Sequence, residues 1–285
     1  MSFSSEDLPD SPTSEPQTTD RVPLAAVGLP SDFQPIELVS NTPSDPPWSG
    51  LDVFRLLIMA IISIVASGLA MLVLVPGATF RARTLRLSGL PELLIVAQML
   101  AYLLLLGYMY ILVTKERGSP RFWKALHWNW PSNIWPFLGV GLAMQIVFVF
   151  VERFLPFPRE TPFEDLLQRH TAVILISVFS VTLAPLMEEI FFRGFLYPVL
   201  ARSFGMGLGI CLSALGFGLM HAAQYGYSWA SVLLIFLVGV VLGVVRAKKD
   251  SVGAGFLVHI AYNGTITVAM FAATGGFRHL EKLNQ

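Results

Sequence analysis

The sequence predicts an all-α polytopic transmembrane helical bundle of about seven membrane helices, preceded by a disordered N-terminal tail. Composition is the first reason: 54% of residues are hydrophobic and only 13% charged, well outside the range of soluble domains. Apolar stretches of about 20 residues, the length that crosses a hydrocarbon core, are the second. The third is the placement of Trp48, Trp123, Trp128, Trp130, Trp135 and Trp229 at the edges of those stretches or in the breaks between them, as amphipathic rings sit at a lipid interface.

Residues 1–50 carry eight acidic residues and a single Arg among many Ser and Pro, as in "SSEDLPDSPTSEPQTTD". Such a segment cannot bury enough apolar surface to offset the ordering of its backbone, so disorder is expected. Its start lacks a basic stretch followed by an apolar one, and the first apolar span is therefore expected to act as the membrane anchor. Seven candidate spans follow at roughly 52–75, 92–113, 134–151, 172–200, 207–223, 230–246 and 253–273. They must be helical, because lipid offers the backbone no hydrogen-bond partner. Glycines scattered over 205–255 suit close helix packing. The predicted organisation is a tail over 1–50, N-terminal membrane helices over 51–170, a second membrane domain over 171–273 and a C-terminal tail over 274–285.

Nineteen basic residues balance nineteen acidic ones, and no basic stripe of the kind that tracks phosphates is present. Nucleic acid is excluded as a partner class; the lipid bilayer is the expected one. Cys211, the single cysteine, precludes an intramolecular disulfide and is read as a packing residue. Basic residues in "TKERGSPRFWK", near Arg202 and in "RAKK" exceed those in "RARTLR" and at Arg153, Arg159 and Arg169, which places the N-terminus in the cytosol. The expected location is an integral membrane protein, in the plasma or inner membrane if the source is bacterial.

The chemistry is concentrated in "PLMEEIFFR", residues 185–193. Ionisable residues inside a span are costly and usually face a bundle interior or a water-filled cavity. Glu189 and Arg193 are four apart with the acid first, the favourable order for a helical pair. Glu188 points about 100° away and lacks such a partner. Pro185 is expected to break and restart the helix, leaving freed backbone groups and a positive helix end near Glu188. Two further stretches extend the pattern. "FGLMHAA" places Phe217 one turn before His221, and "GFLVHIAYNG" places His259 and Asn263 on one helical face. Charged groups that merely fix the bundle would account for each site singly, whereas two His, an Asn and an unpaired Glu in three neighbouring spans point to a shared site. His127, His170 and His279 fall in breaks or the tail, where a solvated role is expected.

"EEIFFR", "FGLMH" and "HIAYN" resemble the three motifs of the CPBP intramembrane proteases, the family of the CAAX prenyl endopeptidases of the Rce1 type and of the bacterial Abi proteins, over about residues 171–272. The resemblance implies that Glu188 works with His221 to activate a water, that Glu189 and Arg193 support it, and that His259 and Asn263 bind the oxyanion. Amide hydrolysis needs this set: a general base and donors aimed at the developing tetrahedral oxygen. It also implies a peptide substrate, such as a prenylated CAAX protein. Members are described both as metalloproteases and as glutamate-dependent enzymes. H-E-x-x-H is absent here, and a site needing no cofactor is expected; zinc, if used, would be held by Glu188, His221 and His259 from three helices. The alternatives are a non-proteolytic Abi-type immunity or scaffold protein, and a proton-coupled transporter, for which no internal repeat is visible.

Overall fold

The computed structural model describes residues 46–158, 161–167 and 169–281. Residues 1–45 of the tail predicted over 1–50 lie outside the described residues, as does Arg159. Among the described residues every regular element is helical: α1 (Gly50–Leu74), α2 (Phe80–Ser88), α3 (Pro91–Ile111), α4 (Phe122–Ala125), α5 (Trp135–Glu152), α6 (Pro162–Leu166), α7 (His170–Val181), α8 (Leu183–Glu188), α9 (Tyr197–Phe204), α10 (Met206–Met220), α11 (Trp229–Lys249) and α12 (Val252–Ala273). A π-helical turn over Leu112–Glu116 extends α3, and a longer π-helical stretch over Glu189–Leu196 joins α8 to α9.

Six apolar segments are long enough to cross a membrane, and α10 is a shorter seventh. The chain is an integral membrane protein, and its outer surface shows it: Leu51, Ile61, Val73, Leu103, Ile146 and Val178 all point outward from the bundle. Cys211 is exposed on α10 as well, which corrects its reading as a packing residue. Around "RARTLR" the chain forms α2, where the Thr79 hydroxyl accepts the Ala82 N–H at 3.2 Å and caps the helix.

The fourth predicted span is one bent rod from His170 to Phe204, and it is the axis of the molecule. One apolar cluster, built from α1, the end of α3 and α4, packs on one side of it through Met187, Ile190 and Phe195. A second, built from α5, α10, α11 and α12, packs on the other side through Phe192. The break expected at Pro185 occurs three residues earlier, at Thr182 (φ −120°, ψ −83°). Proline has no N–H for the carbonyl four residues back and its ring collides with that carbonyl, so the distortion falls on the preceding turn. Pro185 thus lies in the first turn of the restarted helix, and Glu188 ends α8 five residues after its first residue, Leu183.

Small residues set the helix spacing. A Cβ on Gly239 would meet the Ala214 backbone at 3.0 Å, and one on Gly218 would meet the Val232 carbonyl at 2.9 Å, so α10 and α11 touch along their backbones. Trp48 departs from the interfacial placement expected of it. It is buried, its ring lies 4.6 Å from that of Phe195, and its Nε1–H donates to the Phe195 carbonyl at 3.2 Å. The segment just before α1 is thereby tied to the central rod, with Arg202 donating to the carbonyls of Pro46 and Trp48. At the other end Phe277 is buried against Phe271, with ring centroids 5.2 Å apart.

The α5–α12 contact makes a direct test. A Cβ on Gly141 would lie 2.4 Å from the Val258 carbonyl oxygen, whereas one on Gly139 meets nothing within 4 Å. Gly141→Ala is expected to lower stability by about 1–3 kcal/mol through overpacking, with Gly139→Ala unchanged, as read from thermal midpoints of the detergent-purified protein.

Candidate active site

Inside the bundle the rod carries two carboxylates in sequence and in different environments. Glu189 is fully buried. Its Oε1 lies 3.0 Å from Arg193 Nη1 and 3.1 Å from His259 Nδ1. Its Oε2 rests on the backbone of α12, where a Cβ on Gly255 would come within 2.6 Å of it. Only glycine admits that approach. Arg193, also buried, sends Nη2 to the Gly239 carbonyl at 3.0 Å and places its guanidinium 4.7 Å above the Phe217 ring. The pair read from the i, i+4 spacing is therefore a buried pair, held by α10, α11 and α12.

Glu188 belongs to a second group. His221 Nε2 lies 3.9 Å from its Oε1 and His259 Nε2 lies 3.6 Å from its Oε2. Both distances exceed a direct hydrogen bond and suit a bridging water or a substrate atom. The ring nitrogens can be assigned from their partners. His221 Nδ1 is 2.8 Å from the Phe217 carbonyl, which only accepts, so Nδ1 carries the proton and Nε2 presents a lone pair towards Glu188. His259 Nδ1 faces the Glu189 carboxylate and donates to it. Phe217 serves as the common wall: its ring lies 4.8 Å from that of His221 and 5.8 Å from that of His259.

The structure thus brings Glu188, Glu189, Arg193, Phe217, His221 and His259 together. Asn263 lies one turn beyond His259, and one of its amide N–H groups goes to the Ser180 carbonyl at 2.7 Å, next to the break at Thr182. Its second N–H is a further donor on the same face. His127 pairs with Asp250 at 2.8 Å and His279 with Glu281 at 3.1 Å, away from this cluster.

How His221 and His259 meet follows from helix lengths. His259 is seven residues into α12, about 10 Å from its start. Helix α10 has 15 residues and rises about 22 Å, less than a ~30 Å hydrocarbon core. His221 caps it, and the chain turns over residues 221–227 instead of continuing outward. The two histidines approach from opposite ends of the bundle and converge at mid-depth.

Several supports have no motif of their own. The π-helical stretch displaces carbonyls from the regular ladder, and side chains collect them. Ser213 donates to the Phe192 carbonyl at 3.2 Å, Arg246 Nε to that of Arg193 at 3.2 Å, and Trp48 to that of Phe195. Arg246, in the "RAKK" stretch counted for orientation, is buried within α11. The signal was present: Arg246 and Asp250 are four apart, and they bond at 2.6 Å. Burial acts against the charge of Asp250, but Arg246 and His127 hold its carboxyl below the usual range. Among the described residues no group of three or more His, Cys, Asp or Glu side chains is already gathered as a metal-holding set.

Residues 170–265 match the family model described as type II CAAX prenyl endopeptidase Rce1-like. This part of the chain is similar to an Rce1-like domain. It contains all of the clustered residues above. No curated protein and no solved structure gives a significant match. The match spans about a third of the chain, and it supports a CAAX-type intramembrane protease only in general.

The buried pair yields a quantitative expectation. Arg193→Met leaves Glu189 buried without its counter-ion and should cost about 3–5 kcal/mol. Adding Glu189→Gln to it should restore more than half, and thermal unfolding of the three variants measures the coupling.

Proposed function

We propose that the chain is an intramembrane endopeptidase that hydrolyses a peptide bond near the C-terminus of prenylated CAAX proteins, using a Glu188/His221-activated water and no metal. The observation that carries this reading is the division of the two glutamates. Glu189 is consumed by Arg193 and His259, while Glu188 faces two imidazole nitrogens at 3.6 and 3.9 Å with no direct partner between them.

A water between Glu188 and His221 donates one hydrogen to each, because a carboxylate and an Nε2 lone pair both accept. Its oxygen lone pair is then left for the scissile carbonyl carbon. Attack forms the C–O bond as Glu188 takes the water's proton, and collapse breaks the C–N bond as that proton passes to the leaving amine. The developing oxyanion needs donors. Since His259 Nδ1–H is committed to Glu189, its Nε2 donates only from the imidazolium, and the second amide N–H of Asn263 supplies another hydrogen bond. An ionised Glu188 beside an imidazolium His259 and the Glu189–Arg193 pair sums to zero charge, as a site in lipid requires. The prenylated substrate is supported by the family description and by the membrane setting.

Orientation follows from the positive charge. Arg55, Lys115, Arg117, Arg121, Lys124, Arg202, Arg246, Lys248 and Lys249 lie at the end where α1 begins, against Arg81, Arg83, Arg86, Arg153, Arg169 and Arg278 at the other. That bias supports a cytosolic first end, with the N-terminal side of α1 in the cytosol.

Two measurements test these readings. Cleavage of a farnesylated CAAX peptide by detergent-purified protein should fall by about 10²–10⁴-fold in Glu188→Gln and persist with a chelator; chelator-sensitive cleavage would overturn the metal-free mechanism, and inactive wild type the substrate. In a Cys211→Ser background, a cysteine introduced at Ser119 should react with an impermeant reagent from the cytosolic side only.

A further inference from the structure

A cleft of about 660 Å³ opens at the end of the bundle where α1 begins and α3 ends. Arg117, Arg121 and Lys124 line it, with Ser119 and Asn129 as further polar groups. Its charge is unbalanced in a specific way. Asp52 is engaged by Arg117, Glu116 by Arg55 at 2.7 Å, and Asp250 by Arg246 at 2.6 Å. Every acidic residue described at this end is therefore already paired. Arg121 and Lys124 have no ion-pair partner among the described residues, and both side chains are exposed in the cleft.

The depth of the cleft is marked by aromatic rings. Trp123 stands between Arg121 and Lys124 in sequence, packs on Trp128 at 5.3 Å, and Trp128 packs on Trp130 at 5.7 Å. Trp123 and Trp130 remain largely exposed, at 46% and 59%. A tryptophan cluster of this kind sits at the headgroup level of a bilayer. The floor is fixed by backbone bonds: Val252 N–H donates to the His127 carbonyl at 2.9 Å, and the Ser251 hydroxyl donates to that of Asn129. It is an open cleft with two unmatched cations, beside a tryptophan cluster of the kind found at a lipid interface.

We infer that this cleft binds the phosphate of an anionic phospholipid headgroup, with Arg121 and Lys124 as its ligands. Arg supplies a planar fork for two phosphate oxygens and Lys a point charge. A basic pocket between membrane helices is the arrangement that recognises such headgroups. The site is separate from Glu188 and its partners, none of which lines it.

The test uses the full chain in detergent, with native mass spectrometry to count retained lipid. Wild type should retain phosphatidylglycerol in preference to phosphatidylcholine. Arg121→Gln/Lys124→Gln should weaken that retention on the order of tenfold or more. Lys248→Gln/Lys249→Gln removes the same charge at the same end outside the cleft and should leave it unchanged. Equal losses in the two double variants would reduce the effect to diffuse surface charge and overturn the proposal. Unaltered retention in the cleft variant, or equal retention of phosphatidylcholine, would overturn it as well. Displacement of the lipid by millimolar inorganic phosphate would reassign the cleft to free phosphate.

Discussion

The buried Glu189–Arg193 pair is the constraint to which the rest of the domain is fitted. Both side chains are essentially inaccessible, in a segment that crosses lipid. Removing two charges from water costs several kcal/mol each, and their attraction offsets this only when the remaining lone pairs and protons find partners. The surrounding helices supply several contacts, although Glu189 Oε2 and Arg193 Nε are buried with no hydrogen-bond partner among the described residues. Helix α11 offers the Gly239 carbonyl, α12 offers His259 and the bare backbone at Gly255, and α10 offers the face of Phe217. Each partner requires its helix to approach closely, which explains why small residues lie at those contacts.

Two prolines shape the helix that carries the pair. Pro185 lies after the break at Thr182, and Pro198 follows the π-helical stretch Glu189–Leu196. A proline inside a continuous rod removes one ladder bond and crowds the carbonyl four residues back, and a wider turn relieves that crowding. The freed carbonyls at Phe192, Arg193 and Phe195 become attachment points for Ser213, Arg246 and Trp48. Distortion of one helix is thus converted into cross-links to α10, α11 and the segment preceding α1. The geometry around Glu188 and Glu189 is fixed by those links.

Adjacent glutamates acquire different duties from this frame. Both are products of one dipeptide, but the rod points Glu189 at a cation and Glu188 at two imidazoles held by other groups. His221 is oriented by a backbone carbonyl and His259 by the neighbouring carboxylate, so each presents a defined nitrogen. Orienting contacts of this kind are what a positioned general base and an oxyanion donor need.

The sequence by itself determined the membrane class, the helices and the chemical residues, because these rest on local quantities. Apolar run length reports a span directly, and the i, i+4 spacings of Glu189 with Arg193 and of His259 with Asn263 report shared faces. It also pointed to a break near Pro185, although three residues late, since proline acts on the turn before it. Only the tertiary structure decided where α10 stops, why His221 and His259 meet, that Trp48 and Arg246 are buried, and that Gly255 makes room for a carboxylate. Those facts depend on contacts between residues far apart in the chain, such as Trp48 with Phe195 and Glu189 with Gly255, and no local pattern encodes the distance between two helices.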